Sequence, residues 1–132
     1  MSTPTALARQ RYATESVSTA SPARLLLMLY DRLVRDLVMA EAAVREGDIA
    51  VANDQLVHAQ AILLELNASL DHDVWDGAGS MSQLYLFCWS ELVAANVQKD
   101  ASRVATVRGL IEPLREAWRE AALSCLAAAA TG

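Results

Sequence analysis

From Leu26 onward the apolar residues fall at Leu26, Leu29, Leu33, Leu37, Ala40 and Val44. That alternation of three and four draws one stripe down one face of a helix. Ser21-Pro22 predicts its start, a serine cap followed by proline at the first helical position, where the missing N–H is not needed. Gly47 predicts its stop after Glu46. Asp48 can cap a second helix, whose stripe of Ala52, Leu56, Ala59, Leu63, Leu66 and Leu70 is the most regular in the chain. Asp71 to Ser80 holds two glycines and three aspartates and reads as a loop. A third helix then carries Met81, Leu84, Tyr85, Cys88, Leu92 and Ala95. Lys99-Asp100 breaks the pattern, and Ser102 is the expected cap of a fourth helix with Val104, Val107, Ile111, Leu114, Trp118, Ala121 and Cys125.

Four stripes require one shared core, and short connections turn each helix back beside the last. The expected fold is therefore all-α, an antiparallel up-down four-helix bundle with a flexible N-terminal arm. The arm is residues 1–20, rich in Ser and Thr with Tyr12 and Val17 as isolated anchors; the bundle is 21–126, and 127–132 is a frayed tail. Pro113 inside the fourth helix removes one backbone bond and crowds the carbonyl of Gly109, which predicts a kink.

A second row of apolar residues runs beside several of these stripes. The second helix adds Val57, Ala61, Leu64 and Ala68, displaced by about 100° around the axis. The third adds Leu86, Trp89, Val93 and Val97, and the first adds Leu27, Val34 and Val38. For any one residue, a flanking core position is an adequate explanation. Across several helices together, the rows point to surface left open for a partner's amphipathic helix.

Composition narrows the partner. The chain has 132 residues, a net charge of −5 and 54% hydrophobic residues. An acidic surface disfavours nucleic acid and anionic lipid, and no apolar run approaches a membrane span. With no leader evident, a cytoplasmic protein is the simplest expectation. Cys88 and Cys125 lie within apolar helical patterns and read as buried, reduced thiols. His58 and His72 lack a glutamate three residues earlier, so the di-metal motif of helical bundles is missing. Asp71, His72, Asp73 and Asp76 read as a solvated loop rather than a metal site. No phosphate loop, nucleophile elbow or Cys-x-x-Cys is present, so neither a cofactor nor an enzymatic activity is expected.

Particular strings carry a further signal. Arg11-Tyr12 is followed by Val17-Ser-Thr-Ala-Ser-Pro22, Leu26-Leu-Met-Leu-Tyr-Asp31, Gly47-Asp-Ile49, Ala52-Asn53 and Ala59-Gln60. Then come Glu65-Leu-Asn-Ala-Ser-Leu-Asp71, Leu84-Tyr85, Leu92, Ala95-Asn96, Asp100 and Leu114-Arg-Glu-Ala-Trp118. In order and spacing the chain resembles the flagellin-specific export chaperones, the FliS family, from about Arg11 to Ala121. It departs from that family at Ser90-Glu91, where relatives carry basic residues, in the loop with Val74 and Trp75, and at Pro113.

The resemblance implies a bundle that binds the disordered C-terminal segment of flagellin, blocks its premature polymerisation, and hands it to the flagellar type III export gate. A co-chaperone or a regulator of flagellin level would be a further partner. It also implies that the N-terminal arm lies over the client site and moves when the client arrives. The client contacts expected on this basis are Tyr12, Val17, Met28, Val57, Leu64, Leu66, Asn67, Leu70 and Trp118. Asn67 is expected either to cap local backbone or to bind client backbone. The alternative is a structural bundle that self-associates through the same rows.

Overall fold

Ser21 is extended, and its hydroxyl accepts a hydrogen bond from the Arg24 amide at 3.2 Å, with Pro22 following as the first helical residue. This cap opens α1, Pro22–Glu46, in a computed structural model that describes residues 21–73 and 75–131, with side chains described as far as Ser124. Gly47 takes a left-handed conformation (φ 77°), which a side chain would strain, and its amide and that of Asp48 close onto the last carbonyls of the helix. The Asp48 carboxylate accepts from the Val51 amide and starts α2, Ile49–Ala68. The third and fourth helices are α3, Ala78–Gln98, and α4, Ala101–Thr131.

Three boundaries differ from the sequence expectation. Helix α3 begins at Ala78, before Met81, so Gly79 and Ser80 are helical and not loop. Ala78 is buried, and packing of that first turn outweighs the roughly 1 kcal/mol that a helical glycine costs. The cap of α4 is Asp100, not Ser102: its Oδ1 accepts from both the Ser102 amide (2.9 Å) and the Ser102 hydroxyl (2.6 Å). Helix α4 also continues past Leu126 to Thr131, and it runs unbroken through Pro113, whose side chain is exposed.

The helices form a closed ring in which α1 packs on α2 and α4, and α3 packs on α2 and α4. Successive helices are neighbours, as the up-down reading requires. The core is built from the predicted stripes: Leu33, Leu37 and Ala40 of α1, Leu56, Ala59 and Leu63 of α2, Tyr85, Cys88 and Leu92 of α3, and Val104, Val107 and Ile111 of α4. At its centre the hydroxyls of Tyr30 and Tyr85 share a hydrogen bond of 2.6 Å, so neither phenol is buried without a partner. Burial pushes the Tyr30 phenol up, with the Tyr85 hydroxyl acting against it. Burial and the Tyr30 hydrogen bond push Tyr85 up as well. Cys88 is a buried free thiol, pushed up to about 11 by loss of solvent and by Glu91.

Charged contacts hold the ring on its polar sides. Arg108 bonds Glu41 at 3.0 Å and Arg119 bonds Asp31 at 3.2 Å, linking α4 to α1. Arg103 forks onto Glu91 and links α4 to α3. Asp36 is the one buried charged side chain among the described residues, held by Arg32 on its own helix and by His58 of α2.

Candidate functional site: an uncovered apolar face on α2 and α3

Two polar clasps set the register of α2 against α3. The Ser82 hydroxyl donates to Asn67 Oδ1 at 2.6 Å, and the Asn96 amide donates to Asn53 Oδ1 at 2.9 Å. With the helices antiparallel, these clasps place Val57 level with Val93 and Leu64 level with Leu86. On α2 the residues just outside the clasps are Val57, Ala61, Leu64 and Ala68, and all four are exposed. Each helical residue advances about 100°, so Leu64 and Val57 come next around the axis after Asn67, Gln60 and Asn53, on the flank that adjoins α3. On α3 the corresponding flank presents Trp89 and Val93, both half-buried, then the exposed Leu86 and Val97. The two rows make one continuous apolar face, with Val57 at 51%, Leu64 at 46% and Leu86 at 44% exposure. Such a run on a surface, unlike a scattered leucine, marks an interaction site.

The second rows read from the sequence therefore divide. The α2 row is wholly on the surface and the α3 row is split, with Trp89 packed against the core. On α1, Val34 belongs to the core and Leu27 is half-buried, leaving Val38 exposed. The reason is position in the ring: the α1 row lies between Glu41 and Asp31 around the axis, on the flank where Arg108 and Arg119 of α4 meet them and α4 covers its inner members.

The expected contact residues divide as well. Val57 and Leu64 lie on the α2/α3 face. Leu66 does not: it is fully buried, two residues on from Leu64 and so about 200° further around the helix. The Asn67 carbonyl oxygen accepts from Ser82 and ties α2 to α3, so it does not cap local backbone. Leu70 is half-buried against the core. Met28 is 53% exposed, but on the outward surface of α1, away from the α2/α3 face. Trp118 packs on the core and meets Trp75 edge-on, ring centroids 6.1 Å apart, with its Nε1 a buried donor that has no partner among the described residues. Tyr12 and Val17 lie outside the described residues, as does Val74.

Leu86, Trp89 and Val93 were not among the expected contacts although their row was recognised. Their signal was the position of that row one step beyond Ser82 and Asn96, the polar residues that face α2. Phe87, 47% exposed, was missed altogether, and it lies on the other flank of α3, toward α4. The electrostatics of the site are simple. No group of three or more His, Cys, Asp and Glu side chains able to hold a metal ion occurs among the described residues, and no helix there is long and apolar enough to cross a membrane.

Val57, Ala61, Leu64 and Ala68 with Leu86, Trp89 and Val93 thus form an apolar strip about three turns long on an all-α bundle. The comparisons with known proteins give that bundle its family. The family model described as flagellar protein FliS matches residues 5–124. The chain is 34% identical over 110 residues to the flagellar secretion chaperone FliS of Bacillus subtilis strain 168, covering 83% of this chain and 82% of that one. It is 33% identical over 107 residues to the protein of the same name from Salmonella typhimurium, covering 80% and 79%. A crystal structure of a bacterial flagellar chaperone superposes with a TM-score of 0.73 at 20% identity, over 92% of this chain and 99% of that one, a likeness of fold. The chain belongs to the FliS family of flagellar secretion chaperones, which is not a class of enzymes.

Proposed function

We propose that this protein is a cytoplasmic export chaperone that captures the disordered C-terminal segment of flagellin on its α2/α3 face, keeps that segment from polymerising, and delivers it to the flagellar type III export apparatus. The observation that carries the reading is the exposed row Val57, Ala61, Leu64 and Ala68 beside Leu86, Trp89 and Val93, in a chain of this family. A segment that folds on capture loses conformational entropy, and only a broad apolar contact offsets that loss. The strip supplies such a contact and takes the segment as an amphipathic helix, with anchors three and four residues apart. Tyr12 and Val17 of the arm are assigned to cover the face when it is empty. Met28, Leu70 and Trp118 extend the contact around the end of the bundle.

The test is calorimetric titration of the full chain with a flagellin C-terminal segment, together with circular dichroism. Heat of binding and a gain of helix support the proposal; neither heat nor helix gain would overturn it. Sedimentation separates it from self-association through the same rows: a stable dimer that the flagellin segment leaves undisturbed would favour a scaffold.

A further inference from the structure

Between Arg45 and Lys99 the chain contains no lysine or arginine, while eight aspartates and glutamates fall in the same stretch. The remainder has eleven basic residues against eight acidic ones. The net charge of −5 thus hides a division between an acidic stretch from Glu46 to Gln98 and a mildly basic remainder. Most basic side chains of α1 and α4 are engaged by acids within the ring: Arg108 with Glu41 and Glu112, Arg115 and Arg119 with Asp31 and Glu116, Arg103 with Glu91. Asp54 and Glu65 of α2 are different. Both are exposed, and neither enters an ion pair or a side-chain hydrogen bond among the described residues.

Their position around the helix matters. At about 100° per residue, Asp54 and Glu65 come immediately after Ala61 on the side of the apolar row away from α3. They point in nearly the same direction and are eleven residues apart, which is three turns, or about 16 Å along the axis. The α3 edge of the face is bordered instead by Gln83 and Ser90 and carries no charge. The strip is therefore apolar along its middle, acidic along one edge and neutral along the other.

The geometry points to a partner segment whose apolar stripe is flanked on one side by lysine or arginine, with two basic side chains about three helical turns apart that meet Asp54 and Glu65. This rests on the reading of the face as a capture site and specifies what it accepts. The asymmetry also sets direction, because a helix laid down the strip with its basic flank toward α3 would leave both carboxylates without partners. An acidic flank would face like charge with no lysine or arginine of α2 or α3 to relieve it, so the edge rejects as well as attracts.

The test uses the full chain and two synthetic helical peptides with the same apolar stripe, one with lysines and one with glutamates at the flanking positions, alongside a flagellin C-terminal segment. At low salt the lysine peptide should bind about tenfold more tightly than the glutamate peptide, and the gap should close in high salt as screening removes it. Asp54→Lys with Glu65→Lys should invert the preference. Glu46→Lys with Glu120→Lys, an equal charge change on other surfaces, should preserve it. Circular dichroism and urea titration confirm that each double variant is folded; neither Asp54 nor Glu65 holds a contact whose loss would unfold the bundle. Equal binding of the two peptides, or equal effects of the two double variants, would overturn the inference. The two readings fail separately. Flagellin capture that ignores the Asp54/Glu65 reversal sinks the charge rule and spares the chaperone reading, whereas a lysine preference without flagellin capture does the opposite.

Discussion

Leu63 and Leu64 are consecutive and chemically identical, yet Leu63 is fully buried and Leu64 is 46% exposed. Substituting each in turn separates the fold from the face. Fully burying a leucine side chain stabilises a protein by about 1.5–3 kcal/mol, and roughly half of Leu64 is already in water, so its share is about 1 kcal/mol. An aspartate adds a helix-propensity penalty of less than about 1 kcal/mol. Leu64→Asp should therefore lower stability by about 1–2 kcal/mol, whereas Leu63→Ala, which opens a cavity inside the ring, should cost about 2–5 kcal/mol. Capture reverses the ranking. A bound segment must cover position 64, and a carboxylate there is either desolvated without a partner or holds the segment off the strip; affinity should fall by about a hundredfold or more. Urea titration gives the stability change at constant slope, and calorimetry with the flagellin segment gives the affinity. If Leu64→Asp costs as much stability as Leu63→Ala, Leu64 is core and the face is misdrawn. If it leaves capture intact, the segment binds elsewhere.

Four further outcomes follow from the core and its polar contacts. Tyr85→Phe leaves the buried Tyr30 hydroxyl without its partner and should cost about 1–3 kcal/mol, while Tyr30→Phe with Tyr85→Phe should cost less than the two single changes added; additive values in urea titration would contradict the pairing. His58→Ala leaves the buried Asp36 carboxylate with Arg32 alone and should cost about 1–2 kcal/mol at neutral pH, discounted because His58 itself is half-exposed; a change below a few tenths would show that the contact carries no stability. Cys88, Tyr30 and Tyr85 all lose protons less readily when folded, so their contribution is complete below their unfolded values near pH 9 to 10 and declines as pH rises; for Cys88 the decline runs from about 9 to about 11. Alkaline titration of stability, with Cys88 alkylation in a Cys125→Ser background as readout, should show a thiol silent in the folded state at pH 8, and rapid labelling there would refute the burial. Pro113→Ala should stabilise α4 by about 1–3 kcal/mol, since the exposed ring packs against no core and an amide restores the bond to Gly109; a loss of stability by thermal unfolding would show that the proline sets a required shape.

The interior was readable because a stripe of spacing three and four puts its residues on one side of a helix, and four helices each carry such a stripe. Leu33, Leu37, Leu56, Leu63, Leu92, Val104 and Ile111 lie on those stripes, and all are buried in one core. Helix ends were less readable where two signals competed. Asp100 and Ser102 are both good caps, and the choice fell to the one whose carboxylate reaches an amide and a hydroxyl together. Gly79 and Ser80 read as loop because local propensity says so, and only the burial of Ala78, a fact about the rest of the ring, reverses it.

The site obeys a finer rule than the core, since one residue of offset moves a side chain by about 100° and can carry it from interior to surface. Leu64 and Leu66 look equivalent in the sequence, and which of them meets water depends on where α1 and α3 stand relative to α2. Asn67 shows the same ambiguity in polar form: a lone amide on an apolar helix announces a contact without saying whether the partner is a client, the local backbone or, as here, Ser82 of the next helix. Tyrosines, leucines and asparagines were therefore easy to nominate and hard to place. The acidic edge was hidden for a different reason. It consists of an omission, a long stretch without one lysine or arginine, and a chain-wide net charge averages that omission against the arginines on either side. Counting charge element by element exposes it, because α2 and α3 then appear as two consecutive helices with no lysine or arginine to neutralise Asp54 and Glu65. A surface helix with that composition has to take its counter-charge from solvent ions or from a partner, and the apolar row beside these two carboxylates is what distinguishes the second case from the first.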